Sequence, residues 1–218
     1  MPKEAFVNRE YMQRFSFAIL LAVLLAGCAP KGPILMDFKY QQPKPVAGAE
    51  AAVTVAVSPF KDERAKSESV VGRRFNAVNE LATDLVVQGT VSTKVTAGLK
   101  NALAARRIAV RDGAAWDLTE AGVAAPGADF QVSGEIKVLW VDATSQFANT
   151  ISKADVQLRV VVADVKQKKI IRILNVNSKI ERQSIANTAA FIERALSEAL
   201  TGALDQIFSD EELKNRFK

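Results

Sequence analysis

The 218-residue chain contains no histidine and one cysteine, Cys28. The first absence removes the commonest general acid/base and the commonest metal ligand. The second rules out an intramolecular disulfide and any zinc site built from several thiolates. Neither common glycine-rich phosphate loop occurs. Aromatic residues make up 7% of the chain, and the 29 Lys and Arg are scattered rather than gathered into a stripe with stacking rings. That argues against nucleic-acid binding, which needs such a stripe. The composition leaves no cofactor, no metal and no catalytic residue to assign. The expectation is a protein that is not an enzyme.

What is present is globular in character, with 49% apolar and 24% charged residues, enough for one domain with a full core. The most informative stretch is at the start. Residues 15–27 form an apolar run without a charge, directly after Arg14. At 13 residues it is shorter than the roughly 20 needed to cross a bilayer as a helix. A positive flank, a short apolar segment and small residues at its end describe an export signal. Met12 offers a second start that would make this signal compact.

The end of the run, Leu25-Ala26-Gly27-Cys28, resembles the lipobox of bacterial lipoproteins. That resemblance implies cleavage between Gly27 and Cys28 and a diacylglyceryl group on the Cys28 sulfur, with the new amino group acylated. One acyl chain holds a protein to a membrane only marginally, whereas several hold it firmly. Position 29 is Ala rather than the Asp that retains enterobacterial lipoproteins in the inner membrane. The expected location is therefore the outer membrane, with the domain facing the periplasm. The signal carries three basic and two acidic residues, so the net charge falls from +5 to about +4 on its removal.

Four of the seven prolines (Pro30, Pro33, Pro43 and Pro45) lie between Ala29 and Glu50. Proline lacks an amide donor and fixes φ, which predicts an extended, poorly packed segment. The expected organisation is a signal over 1–27, a lipidated flexible tether over 28–50 and an α+β domain over 51–218. Within the tether, Leu35, Met36, Phe38 and Tyr40 are apolar enough to dock on the domain.

In the domain, Val53 to Val57 alternates like a strand and stops at Ser58-Pro59. Residues 60–75 are charge-rich and read as a loop. Val91, Val95, Leu99, Ala102 and Leu103 share one face of a helix to Arg106, and Ile108 with Val110 suggests a short strand. Three long strands follow at about 130–140, 153–165 and 168–182, joined by short polar turns as in an antiparallel meander. A final helix from about Asn187 carries an apolar stripe from Ile192 to Ile207, and Ser209 with Glu212 fits a capping box. The fold class expected is α+β: an antiparallel sheet of about four to five strands with two main helices on one face.

Chemistry is sparse. Ser58-Pro59-Phe60-Lys61 satisfies Ser-x-x-Lys, but it follows a strand and lacks its partner motifs. Asp62-Glu63-Arg64 reads as a surface ion pair or a loop-fixing hydrogen bond. Asp129, Asp142, Asp155 and Asp164 fall at strand ends or solvent-facing positions rather than in a metal cage. Trp140 continues the alternation of Phe130, Val132, Gly134, Ile136 and Val138, which predicts core. Trp116 is open between core and partner contact.

The lipobox, the strand leading into Asp62-Glu63-Arg64, Val141-Asp142-Ala143 with Ser152-Lys153-Ala154-Asp155, and Ile207-Phe208-Ser209-Asp210 together resemble the YajG family of bacterial lipoproteins. The resemblance implies an envelope lipoprotein and little about its ligand. Three functions follow in order: a non-catalytic module binding an envelope protein or glycan through its sheet edge or loops, an accessory subunit of a lipid or lipopolysaccharide transport complex, and a cell-wall hydrolase.

Overall fold

The computed structural model describes residues 32–41, 53–65, 69–185 and 188–217. Gly27, Cys28 and the expected signal lie outside them. The compact unit runs from Pro33 to Lys218.

The element that organises this unit is a strand of 16 residues, β7 (Phe130–Ser145). One edge of β7 pairs antiparallel along its length with β8 (Thr150–Asp164), which in turn pairs with β9 (Lys169–Ser184). The three-stranded meander is thus as the alternation predicts. The other edge is too long for any single partner. Three short strands divide it, all parallel to β7: β2 (Thr54–Val57), β3 (Lys61–Asp62) and β4 (Val70–Phe75). Beyond them, β6 (Ala109–Asp112) flanks β2, while β5 (Leu81–Val87) and then β1 (Ile34–Met36) flank β4.

Among the described residues the sheet therefore has nine strands and is mixed, which corrects the expectation of four or five antiparallel ones. The loop expected over 60–75 contains β3 and β4. Charge misled there because Arg73 stands on the open face of the sheet, where polar side chains are tolerated, while Arg74, level with Ala143 on the other face, reaches Ser145 Oγ at the sheet's end.

The expected tether is likewise interrupted. Met36, Phe38 and Tyr40 are buried, and the amides of Lys39 and Gln41 donate to Ser197 Oγ and Thr201 Oγ1. Residues 33–41 thus belong to the body.

Helices α1 (Val91–Ala105) and α2 (Ala189–Ile207) cover one face of the sheet. Their apolar stripes match the predicted ones, and every stripe residue of α2 from Ile192 to Ile207 is at most 1% exposed. Thr90 and Thr188 cap the two helices by accepting from the amides of Thr93 and Phe191. The short α3 (Glu211–Arg216) is capped by Asp210, whose carboxylate accepts from Leu213 N, and not by the expected Ser209. Asp210 is the better cap because its negative charge also meets the helix dipole.

One irregularity decides what the open face presents. Between Ile136 and Val138 the β7–β8 register shifts by a bulge. Before it, Phe130, Val132 and Ile136 face the helices; after it, Leu139, Val141 and Ala143 do. Strand side chains alternate with period two, so one inserted residue exchanges the faces. Val138 and Trp140 are consequently turned away from the helices, and Trp140 is half-buried rather than core.

Candidate functional site

The face opposite the helices has two halves. At the end where β7 begins, the loop between β6 and β7 folds back over it. Trp116, Leu118 and Val123 pack on Val161 and Ala163, and Trp116 is 3% exposed with its indole N–H donating to Thr119 O at 2.8 Å. Trp116 is therefore a packing residue.

Among the described residues nothing folds over the other half of the face. Trp140 stands at its centre, opposite Asp155 on β8, which is itself opposite Lys179 on β9. Its indole N–H donates to Asp142 Oδ1 at 2.9 Å, which fixes the ring. The Arg73 guanidinium from β4 lies 5.9 Å from the ring centroid, within cation–π range. Two grooves share Trp140 as their common wall. One, of about 360 Å³, is formed with Arg64, Arg73, Phe75, Lys137 and Val138. The other, of about 490 Å³, is formed with Lys153, Asp155, Lys179 and Glu181.

The charges around the ring are largely paired. Lys137 Nζ lies 2.8 Å from Glu135 Oε2, and that hydrogen bond, assisted by Arg159, holds the Glu135 carboxyl below its ordinary range. Lys179 pairs with Asp155 at 3.4 Å and Lys153 with Glu181 at 3.4 Å. Arg73 Nε is 3.6 Å from Asp84 Oδ1. Such exposed pairs are weak and exchangeable, so a ligand can take over either partner at little cost.

Arg64 forms the floor. Its side chain is 3% exposed and its guanidinium forks onto Asp62, Nε to Oδ1 and Nη2 to Oδ2 both at 2.8 Å. Nη1 also donates to Val70 O at 2.9 Å and Leu139 O at 3.2 Å. The pair thus ties β3 to β4 and β7. The loop-fixing hydrogen bond expected of Asp62-Glu63-Arg64 exists, but it is buried rather than on the surface. Gly72 is required beside it, since a Cβ there would stand 2.0 Å from Val141 O.

The remaining sequence candidates are structural and are not brought together. Ser58 is fully buried and its Oγ accepts from Gln131 Nε2 at 3.0 Å, so Ser-x-x-Lys presents no accessible nucleophile. Asp129 accepts from Thr54 N at 2.9 Å and pairs with Lys166 at 3.1 Å; the Thr54 amide, then Lys166, holds its carboxyl below the ordinary range. Asp164 accepts from Gln167 N in the β8–β9 turn. Only Asp142 and Asp155 flank Trp140. Among the described residues no cluster of three or more metal-ligating side chains occurs, and no helix is long and apolar enough to cross a membrane. The sequence reading missed Arg73 and Phe75, because β4 read as loop, and misplaced Trp140, because nothing in the residues marks the bulge.

The free edge of β9 is partly closed. Asn177 N donates to Gln206 Oε1 at 3.2 Å, and Ile170 N to Glu120 Oε1 at 3.1 Å. A partner strand would have to displace both.

No family model matches the chain, and no curated protein matches it in sequence. Solved structures that overlay on it include a Xanthomonas campestris protein of the DUF330 family model, at 13% identity and a TM-score of 0.48 over 87% of this chain and 96% of that one. Others are PelC from Paraburkholderia phytofirmans, crystallised as a dodecamer (12%, 0.39, 75% and 93%), and lipoprotein GNA1162 from Neisseria meningitidis (11%, 0.39, 72% and 99%).

Proposed function

We propose that the protein is a non-catalytic envelope lipoprotein of YajG type, anchored through Cys28 in the outer membrane, whose periplasmic domain binds an envelope glycan strand across the open face around Trp140. The anchor is supported by the lipobox at residues 25–28, and the organisation proposed is a signal over 1–27 followed by the lipidated segment and the domain. The single observation that carries the binding role is the indole held by Asp142 between two grooves whose charges are paired only weakly.

A sugar ring has an apolar face and a hydroxyl rim. The first suits the Trp140 ring, and the second suits the alternating donors and acceptors Lys153, Asp155, Lys179 and Glu181. Two grooves side by side favour an extended ligand lying flat. The face is a better partner surface than the β9 edge, whose amides Gln206 and Glu120 already occupy. The apolar wall of Phe75 and Val138 beside Arg73 and Lys137 favours a second reading, in which the smaller groove takes an acyl chain with an anionic head for a lipid transport complex.

The test is intrinsic fluorescence of the mature protein titrated with soluble peptidoglycan fragments. Trp116 is buried, so a change must come from Trp140 and must vanish in Trp140→Phe, with binding to sacculi lost in Trp140→Ala. Undiminished binding by Trp140→Ala, or no binding at all, refutes the proposal. A photocrosslinker at Arg73 that captures a protein instead would make the occupant a protein, and quenching by an acyl phospholipid would favour the second reading.

A further inference from the structure

Hairpin tips in water are normally polar, yet one end of this sheet is not. β4 runs parallel to the second half of β7, and Phe75 is level with Thr144 and with Leu81. Ser145 is level with Thr150, and Thr150 with Ser184. The β4–β5 turn, the β7–β8 turn and the end of β9 therefore lie side by side across five neighbouring strands, a row of about 19 Å at the usual strand spacing.

Four large apolar side chains stand on that row in water. Val78 and Leu81 are 72% and 53% exposed, Phe147 is 104% exposed and Ile185 is 91% exposed. Among the described residues only two other large apolar side chains are exposed, and one of these, Leu35, lies on β1. The opposite end gives the contrast: the β8–β9 tip reads Lys166-Gln167-Lys168-Lys169. Scattered exposed leucines need no explanation, but apolar residues at three successive tips of one end do.

The chain itself indicates what covers them. β1 is parallel to β5, and β5 starts at the apolar tips, so the polypeptide enters β1 from that end. Ile34 is level with Leu85, Gly72 and Val141. From that level the tip end is four residues of β7 away, about 13 Å, and the opposite end eleven residues, about 35 Å. Cys28 precedes Ile34 by six residues, a reach of about 20 Å at full extension. The Cys28 sulfur, where the lipid begins, can come level with the apolar end and falls short of the lysine-bearing end.

We infer that the apolar end of the sheet faces the bilayer and that Val78, Leu81, Phe147 and Ile185 dip into its phospholipid interface, making the tips a second, non-covalent membrane contact. This rests on the lipid anchor proposed above. Side chains of this kind sit about 5–10 Å into the headgroup boundary when a protein lies on a membrane. With the short anchor they would hold the domain in one orientation, with the long strands rising from the surface and the Trp140 face turned sideways into the periplasm.

The experiment uses the native lipidated chain in phosphatidylethanolamine/phosphatidylglycerol vesicles. Acylation blocks the Cys28 thiol, so Phe147→Cys, Ile185→Cys, Val78→Cys and, as the opposite tip, Gln167→Cys each add one free thiol for an environment-sensitive nitrobenzoxadiazole label. The expected result is blue-shifted emission at 147, 185 and 78, quenched several-fold more by nitroxide lipids than at 167 and several-fold less by iodide. Labels equally wet at all four positions, on protein that floats with the vesicles and carries acyl mass, would overturn this inference and leave the anchor standing. Protection at 167 but not at the tips would overturn it too. Protein without acyl mass that fails to float would overturn both. Circular dichroism of each variant matched to the parent excludes misfolding, which these exposed positions should not cause.

Discussion

Arg64→Met removes the cation under the first groove while keeping much of the apolar stem. At least four hydrogen bonds to described residues are lost: two to Asp62, and one each to the carbonyls of Val70 and Leu139. The Arg64 side chain is 3% exposed and that of Asp62 is 12% exposed, so water replaces them poorly. Breaking a buried pair by removing one partner costs about 3–5 kcal/mol. Because Asp62 keeps some contact with solvent, the expected loss is near the lower end, about 3 kcal/mol. Asp62→Asn should cost less, about 2 kcal/mol, since the guanidinium still serves both carbonyls. The double variant Asp62→Leu/Arg64→Met leaves no orphaned charge and should be at least about 1 kcal/mol better than the sum of the singles. Urea unfolding followed by far-ultraviolet circular dichroism reads all three. A loss below about 0.5 kcal/mol for Arg64→Met, or strict additivity, would show that the fork does not join β3, β4 and β7 energetically.

Phe38→Ala should destabilise by about 3 kcal/mol, because Phe38 is fully buried although it lies in the stretch that reads as tether; a change under about 1 kcal/mol would mean that this segment is not part of the cooperative unit. The two tryptophans should separate cleanly: acrylamide quenches the emission that survives in Trp116→Phe several-fold better than that in Trp140→Phe, and equal quenching would contradict the bulge. Asp129 has a depressed carboxyl, so the stability it contributes is present above the ordinary carboxyl range and is lost as pH falls through its folded value. The urea midpoint of Asp129→Asn should lie below that of the parent at pH 7, and the gap should close below about pH 4. A gap that persists in acid would assign the effect to something other than its charge.

The helices were legible because their stripes recur at helical spacing, and the meander because β8 alternates cleanly from Ala154 to Val162. Pairing on the other edge of β7 was not. Which short strand lies beside which part of a 16-residue strand is a long-range choice that leaves no local trace. Arg73 looked like a loop residue because an open sheet face accepts charge. The largest error came from one position. The bulge before Val138 exchanges inside and outside, so Trp140, which a strict period of two puts in the core, becomes the centre of the open face. Site and misreading thus share a cause, as is common where bulges re-aim side chains. Trp116 could not be decided from its irregular surroundings, and the loop that buries it is visible only in three dimensions.

The measurement that bears most directly on the account is intact mass spectrometry of the native amino-terminal peptide isolated from membranes. The account predicts a chain beginning at Cys28 with a diacylglyceryl thioether and an acylated amino group, and no such species from Cys28→Ser. A native terminus upstream of Cys28, or a Cys28 peptide at its unmodified mass, would contradict it.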